Sequence, residues 1–197
     1  MSPATAAQRV VRAFTLAAGW GLVALSFLIV VEVLGRKFFS FSVQGADELG
    51  GYALAFATSI GFSHALVDRA HIRIDLLQKR LPAPAQALLN AAAFLLLMGF
   101  AGLLAWRAVA VFLESIRLNA HAQTPLGTPL AVPQAVWAAG ILVFAGLAVG
   151  AVIGVLGHIA RGRFDAAARD YASASEQSEI DAEIAAARER TDSGGHA

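Results

Sequence analysis

Cysteine is missing altogether from this chain. Disulfides, thiolate metal sites and thiol nucleophiles are therefore excluded, while the redox compartment stays open. Charge is scarce as well: 15% of residues are Asp, Glu, Lys or Arg, against roughly 25% in a soluble domain. No phosphate-cradling G-x-x-x-x-G-K-[ST], no G-x-S-x-G elbow and no His/Glu zinc motif occurs, which argues against an ATPase or a hydrolase. No basic patch is interleaved with aromatics, so no nucleic-acid partner is expected. No catalytic residue, substrate-binding residue, metal site or cofactor is assigned.

What is abundant is apolar surface. Of 197 residues, 57% are hydrophobic, and mean hydropathy is +0.63. That excess has to face lipid. The expected fold is all-α, an integral membrane protein with four transmembrane helices and short interfacial helices. The spans fall at about 13–34, 49–67, 85–113 and 133–160, each long enough for the roughly 30 Å hydrocarbon core. Arg9 and Arg12 before an apolar run imitate a signal peptide, but Ala13–Val31 is nineteen uncharged residues, longer than such a leader's core, and reads as a retained span. Residues 119–132 are uncharged too, yet Pro125, Gly127 and Pro129 make them a loop. Pro133 suits the first turn of the last helix.

Lys and Arg set the orientation. Arg9, Arg12, Arg69, Arg73, Lys79, Arg80, Arg161, Arg163 and Arg169 fall on one side, and Arg36, Lys37 and Arg117 on the other. Both termini are therefore expected in the cytoplasm: an N-terminus of residues 1–12, a membrane domain over 13–162, and a tail over 163–197. Residues 165–197 hold 8 acidic and 3 basic side chains, and the tail reads as solvated and partly disordered. A marginal helix is expected over about 175–190, opened by Ser178-Glu179-Ile180-Asp181.

Small residues recur every four positions at Gly51, Ala55, Ser59 and Ser63 in span two, and at Gly146, Gly150 and Gly154 in span four. Such stripes let helix backbones approach closely, within this chain or against another. Glu32, Glu48, Arg107 and Glu114 lie within or at the margins of apolar spans, near the outer side. An intramembrane ion usually pairs or faces water. The structural expectation is that Arg107 neutralises Glu32 or Glu48, and the functional alternative is a cation or proton site. Arg36-Lys37-Phe38-Phe39-Ser40-Phe41 reads as an interfacial stretch, and Ile74, Leu77 and Leu81 mark a second one on the cytoplasmic face. His64 and His158 near the same ends of spans two and four leave a b-type haem open. His71 and Asp75 are two metal-type ligands without a third.

Several of these features together resemble the small membrane subunit of TRAP, the tripartite ATP-independent periplasmic transporters, over about residues 10–162. They are Glu32-Val33-Leu34-Gly35-Arg36, Asp47-Glu48 opening span two, Gly61, His71-Ile72-Arg73-Ile74-Asp75-Leu76-Leu77, Leu81-Pro82, and Thr124-Pro125-Leu126-Gly127 with Pro129 and Pro133. Ser63-His64 departs from the family, which often has a basic residue there. The resemblance implies a non-catalytic scaffold in a bacterial inner membrane. Its partners would be a large permease subunit and a periplasmic binding protein that delivers a carboxylate for sodium-coupled uptake. The resemblance carries over Glu48, His71, Arg73 and Asp75 as structural or interface positions. Glu32, Arg36, Gly61 and Arg107 are read as structural or interface positions beside them, and Gly51, Ala55, Ser59, Gly146, Gly150 and Gly154 are by their spacing helix-packing ones. A four-helix cytochrome subunit and a self-assembling scaffold or channel remain as alternatives.

Overall fold

A computed structural model describes residues 6–42, 45–68 and 81–170. His71, Arg73, Asp75, the expected helix around Leu77 and the acidic tail beyond 170 lie outside these residues. Five helices make up the described chain: α1 Ala6–Phe39, α2 Ala46–Val67, α3 Ala83–Arg117, α4 Ala131–Ala160 and α5 Phe164–Asp170. Among the described residues there is no strand, and a single bridge joins His121 to Pro129.

Three of these helices, α1 from Arg9, α3 and α4, are long and apolar enough to cross a membrane. At 34 and 35 residues, α1 and α3 are each about 50 Å long, more than a bilayer core requires. At 22 residues α2 is long enough, but it is not among the three. Tyr52, Thr58, Ser59, Ser63 and His64 lower its hydropathy. Arg36–Phe39, expected as a separate interfacial stretch, instead continue α1, since nothing between Leu34 and Phe39 breaks a helix except Gly35. Likewise α5 stands where the sequence placed the start of the polar tail.

Local rules explain where the helices stop. Asn119, at φ +47°, closes α3: Ala120 N–H bonds the Ser115 carbonyl at 2.9 Å and Asn119 N–H that of Ile116 at 3.2 Å. Gly162, at φ +69°, does the same for α4, with Arg163 N–H on the His158 carbonyl at 3.0 Å and Gly162 N–H on that of Ile159 at 2.9 Å. Both are Schellman closures, which need a residue that tolerates the left-handed region.

The helices fall into two compact units, Met1–Val67 with Met98–Ala148, and Asp68–Leu97 with Val149–Ala197. In the first, α1 packs on α2. Ala105, Ala108, Ala138 and Ile141 form a core against which Phe62, Leu104, Trp137 and Ala145 pack, and the Phe62 and Phe144 rings lie 5.5 Å apart. Alanines at this density bring helix backbones close, which is how helices in lipid gain contact. In the second, the buried set is Ala87, Asn90, Ala91 and Phe94 of α3, Val152 and Val155 of α4, and Ala167 and Ala168 of α5. The outward faces are oily, with Trp20 72%, Phe27 69% and Leu96 77% exposed. Patches of this kind belong against lipid or another chain.

Candidate functional site

The mouth of α2 holds a dense polar arrangement in the first unit. Glu48 stands in the first turn of α2, where the helix dipole favours a carboxylate, yet it is only 7% exposed. Its partners come from two directions. One turn along α2, Tyr52 Oη donates to Glu48 Oε1 at 2.6 Å. From the loop between α3 and α4, Thr124 Oγ1 donates to Oε2, and the side chain and backbone N–H of Thr128 also hydrogen-bond the carboxylate.

Residues 118–130 are shaped to make those contacts. Leu130 N–H bonds the Ala120 carbonyl and Ala122 N–H that of Thr128, both at 2.9 Å. At the tip, Gly127 N–H bonds the Thr124 carbonyl at 3.0 Å, a β-turn with Pro125 at its second position. Gly127 takes φ +58°. A second anchor lies beside the first: Leu126 covers Gly45, so that a Cβ there would overlap the leucine side chain, and Gly45 itself has φ +99°. The loop is thus pinned to the start of α2 by two threonines on a carboxylate and a leucine on a glycine. The hydrogen bonds from Thr124, then Thr128 and Tyr52, hold the Glu48 carboxyl below its ordinary value, because each favours the charged form.

Glu32 is the other buried acid here, 8% exposed. Beyond Phe39, Ser40 turns the chain at φ +49°, Phe41 N–H returns to the Gly35 carbonyl at 3.2 Å, and Ser42 Oγ donates to Glu32 Oε1 at 2.7 Å. Arg107, expected to neutralise Glu32 or Glu48, is exposed, with its guanidinium 5.8 Å from the Trp106 ring centre. At Glu48 hydroxyls stand in the place foreseen for that cation. Arg36 is exposed at the end of α1.

The small-residue positions divide. Ser59 and Ser63 are 0% and 2% exposed, whereas Gly51, Gly61, Gly146 and Gly150 have nothing within 4 Å of where a Cβ would stand. Ala55 and Gly154 are half-buried. The tight approach is at Gly140, where an added Cβ would lie 2.8 Å from Ser59 Cβ. From sequence, Gly140 escaped notice because it stands six residues ahead of the 146–150–154 repeat. The threonines of the loop escaped notice as partners of Glu48 because 76 residues separate Thr124 from it. His64 and His158 lie in the last turns of α2 and α4. Among the described residues, no three His, Asp or Glu side chains gather in a way that would hold a metal ion.

No curated protein and no solved structure matches the chain at a significant level. The family model of the tripartite ATP-independent periplasmic transporters, DctQ component, matches residues 25–158. That stretch is more than half of the chain, from the middle of α1 through the last turn of α4, with the Glu48 clasp inside it. The chain therefore belongs to the DctQ family, the small permease component of TRAP transporters.

Proposed function

We propose that this chain is the static scaffold of a TRAP-type secondary transporter in a bacterial inner membrane. In this reading it supports a large permease subunit during sodium-coupled uptake of a carboxylate, which a periplasmic binding protein delivers. Four spans cross the bilayer, α2 being the fourth, with both termini in the cytoplasm and the 118–130 loop outside. Glu32, Arg36, Glu48, Gly61, His71, Arg73, Asp75 and Arg107 serve structure or subunit contact rather than cargo.

The observation that carries the scaffold reading is the engagement of Glu48. Both of its oxygens accept hydrogen bonds from hydroxyls, so the acid at the mouth of α2 fastens a loop. A cargo or ion site needs lone pairs free for the passing species. The lipid-facing side of α1 adds support. Only 6% of its most apolar window is buried, against 28% in α3 and α4, which leaves a long apolar surface for a large subunit.

The test is reconstitution of the chain with its large permease and binding protein. Glu48→Gln should lower the yield of complex and the uptake rate together, leaving the order of preferred substrates unchanged. A changed substrate order with the complex intact would place Glu48 on the cargo path and overturn the reading.

A further inference from the structure

Within the first unit, α1, α2 and α4 leave between them an open pocket of about 470 Å³. Val11 and Phe14, Ile60 and Ser63, and Ala139 and Val143 contribute from the three helices in turn. One polar atom interrupts this apolar wall. Ser63 is 2% exposed, and its hydroxyl makes no hydrogen bond. Other helix hydroxyls in this unit behave differently. Thr15, Ser26 and Thr58 donate to the carbonyl four residues back at 2.7–2.9 Å, and Ser59 donates to that of Phe56 at 2.9 Å. A buried hydroxyl without a partner costs free energy, more so in hydrocarbon. Ser63 therefore carries a spare donor at the pocket wall, which a rotation about its Cα–Cβ bond would turn toward an occupant.

The position of Ser63 limits the occupant. It stands four residues before the end of α2, about 6 Å along the axis; with α2 as a span, that is close to where ester carbonyls meet acyl chains. In α1, Arg9 and Arg12 are exposed and flank the lining pair Val10 and Val11. The volume takes about fifteen methylenes at ~30 Å³ each, the space of a liquid water, or about one turn of a helix some 10 Å wide. An unbranched chain ending in an acceptor, near cations, satisfies all three features.

We propose that this pocket binds one acyl chain of an anionic phospholipid. The Ser63 hydroxyl donates to its ester carbonyl, and Arg9 and Arg12 attract its phosphate. The proposal rests on α2 being a span.

The experiment uses the full transporter complex in vesicles of phosphatidylglycerol or phosphatidylcholine, a fraction of which carries a photoreactive diazirine in one acyl chain, with labelled peptides mapped by mass spectrometry. Label should concentrate on α2 around Ile60 and on α4 around Ala139. Phosphatidylglycerol should give about fivefold more than phosphatidylcholine, and Ser63→Ala should reduce labelling about fivefold. Ala139→Phe, which fills the pocket, should abolish it; should that variant not fold, the wild-type map and Ser63→Ala still decide. Label spread evenly along the lipid-facing sides of α1 and α3 would overturn the proposal. So would a pocket that is protected in the complex and cross-links to the large subunit. A Ser63→Cys thiol that reacts with a water-soluble maleimide would instead show that α2 is not a span, which separates failure of that reading from failure of the lipid site.

Discussion

Replacing Gly140 by alanine adds one methyl group at a close contact between α4 and α2 in the first unit. The new Cβ would sit 2.8 Å from Ser59 Cβ, whereas ordinary contact begins at 3.4 Å. Ser59 is fully buried, and its Cβ is fixed by the backbone of α2, so no side-chain rotation relieves the overlap. Either α4 retreats by at least about 0.6 Å or both helices bend, and overpacking of this kind costs about 1–3 kcal/mol. The assay is thermal or denaturant unfolding of the purified chain in detergent, with Gly146→Ala and Gly150→Ala as controls. Neither control meets anything within 4 Å, so both should match wild type or exceed it by up to about 1 kcal/mol, the gain in helix propensity from Gly to Ala. Ser59→Gly in the Gly140→Ala background removes the obstacle and should restore most of the loss, a coupling of about 1–3 kcal/mol between two residues in contact. A Gly140→Ala protein as stable as its controls, or one that Ser59→Gly fails to rescue, would refute the close approach.

Two further outcomes follow from the same geometry. Because hydrogen bonds hold the Glu48 carboxyl below its ordinary value of 4.5, the clasp contributes its full stability above that value and loses it as pH falls through the lower folded value. The melting midpoint should therefore be insensitive to pH near neutrality and drop below about pH 4.5; Glu48→Gln should lower the neutral-pH midpoint and flatten that acid limb, and an unchanged limb would show that Glu48 does not carry it. Since the chain has no cysteine, single cysteines report topology without background. His121→Cys should react with an impermeant maleimide on intact cells and Asp165→Cys only after permeabilisation, and the reverse pattern would invert the proposed orientation.

Much of the framework is legible in the chain because lipid imposes a one-dimensional rule: long apolar runs become helices, as in 85–113, where Arg107 is the one charge, and 133–160. The limits of that rule explain what was missed. Helix ends depend on caps such as Asn119 and Gly162, and α1 runs past its apolar stretch through Arg36–Phe39 because helix propensity does not end where hydropathy does. Periodic small residues marked Gly146 and Gly150, whose Cβ positions are open, while the contact made by Gly140 depends on which helix lies opposite. The alanines Ala101, Ala105 and Ala108, buried in α3, carry no signal against a background where alanine is common throughout. Glu48 was legible as an acid at a helix mouth. Its partners were not, since Thr124 and Thr128 reach it only after the loop closes on its own β-turn.

The polarity of α2 and the clasp at its mouth bear on one another. A helix on the outside of a bundle needs an apolar circumference, because every lipid-facing polar group costs free energy. One packed among other helices does not, and α2 buries Ser59 and Ser63 while α1 packs on it and α4 approaches through Gly140. The hydropathy that keeps α2 out of the group of obvious spans is thus compatible with an inner span. Such a helix gains less from lipid than its neighbours and needs other means to fix its depth. A carboxylate anchored to a loop from α3 and α4 supplies this, since Glu48 cannot move along the membrane normal without breaking its bonds to both threonines of that loop. The features that would make Glu48 a transport site, open lone pairs and a proton affinity near neutral pH, are the ones its hydroxyl partners remove. In the scaffold we propose, the acid at the mouth of α2 is a depth stop.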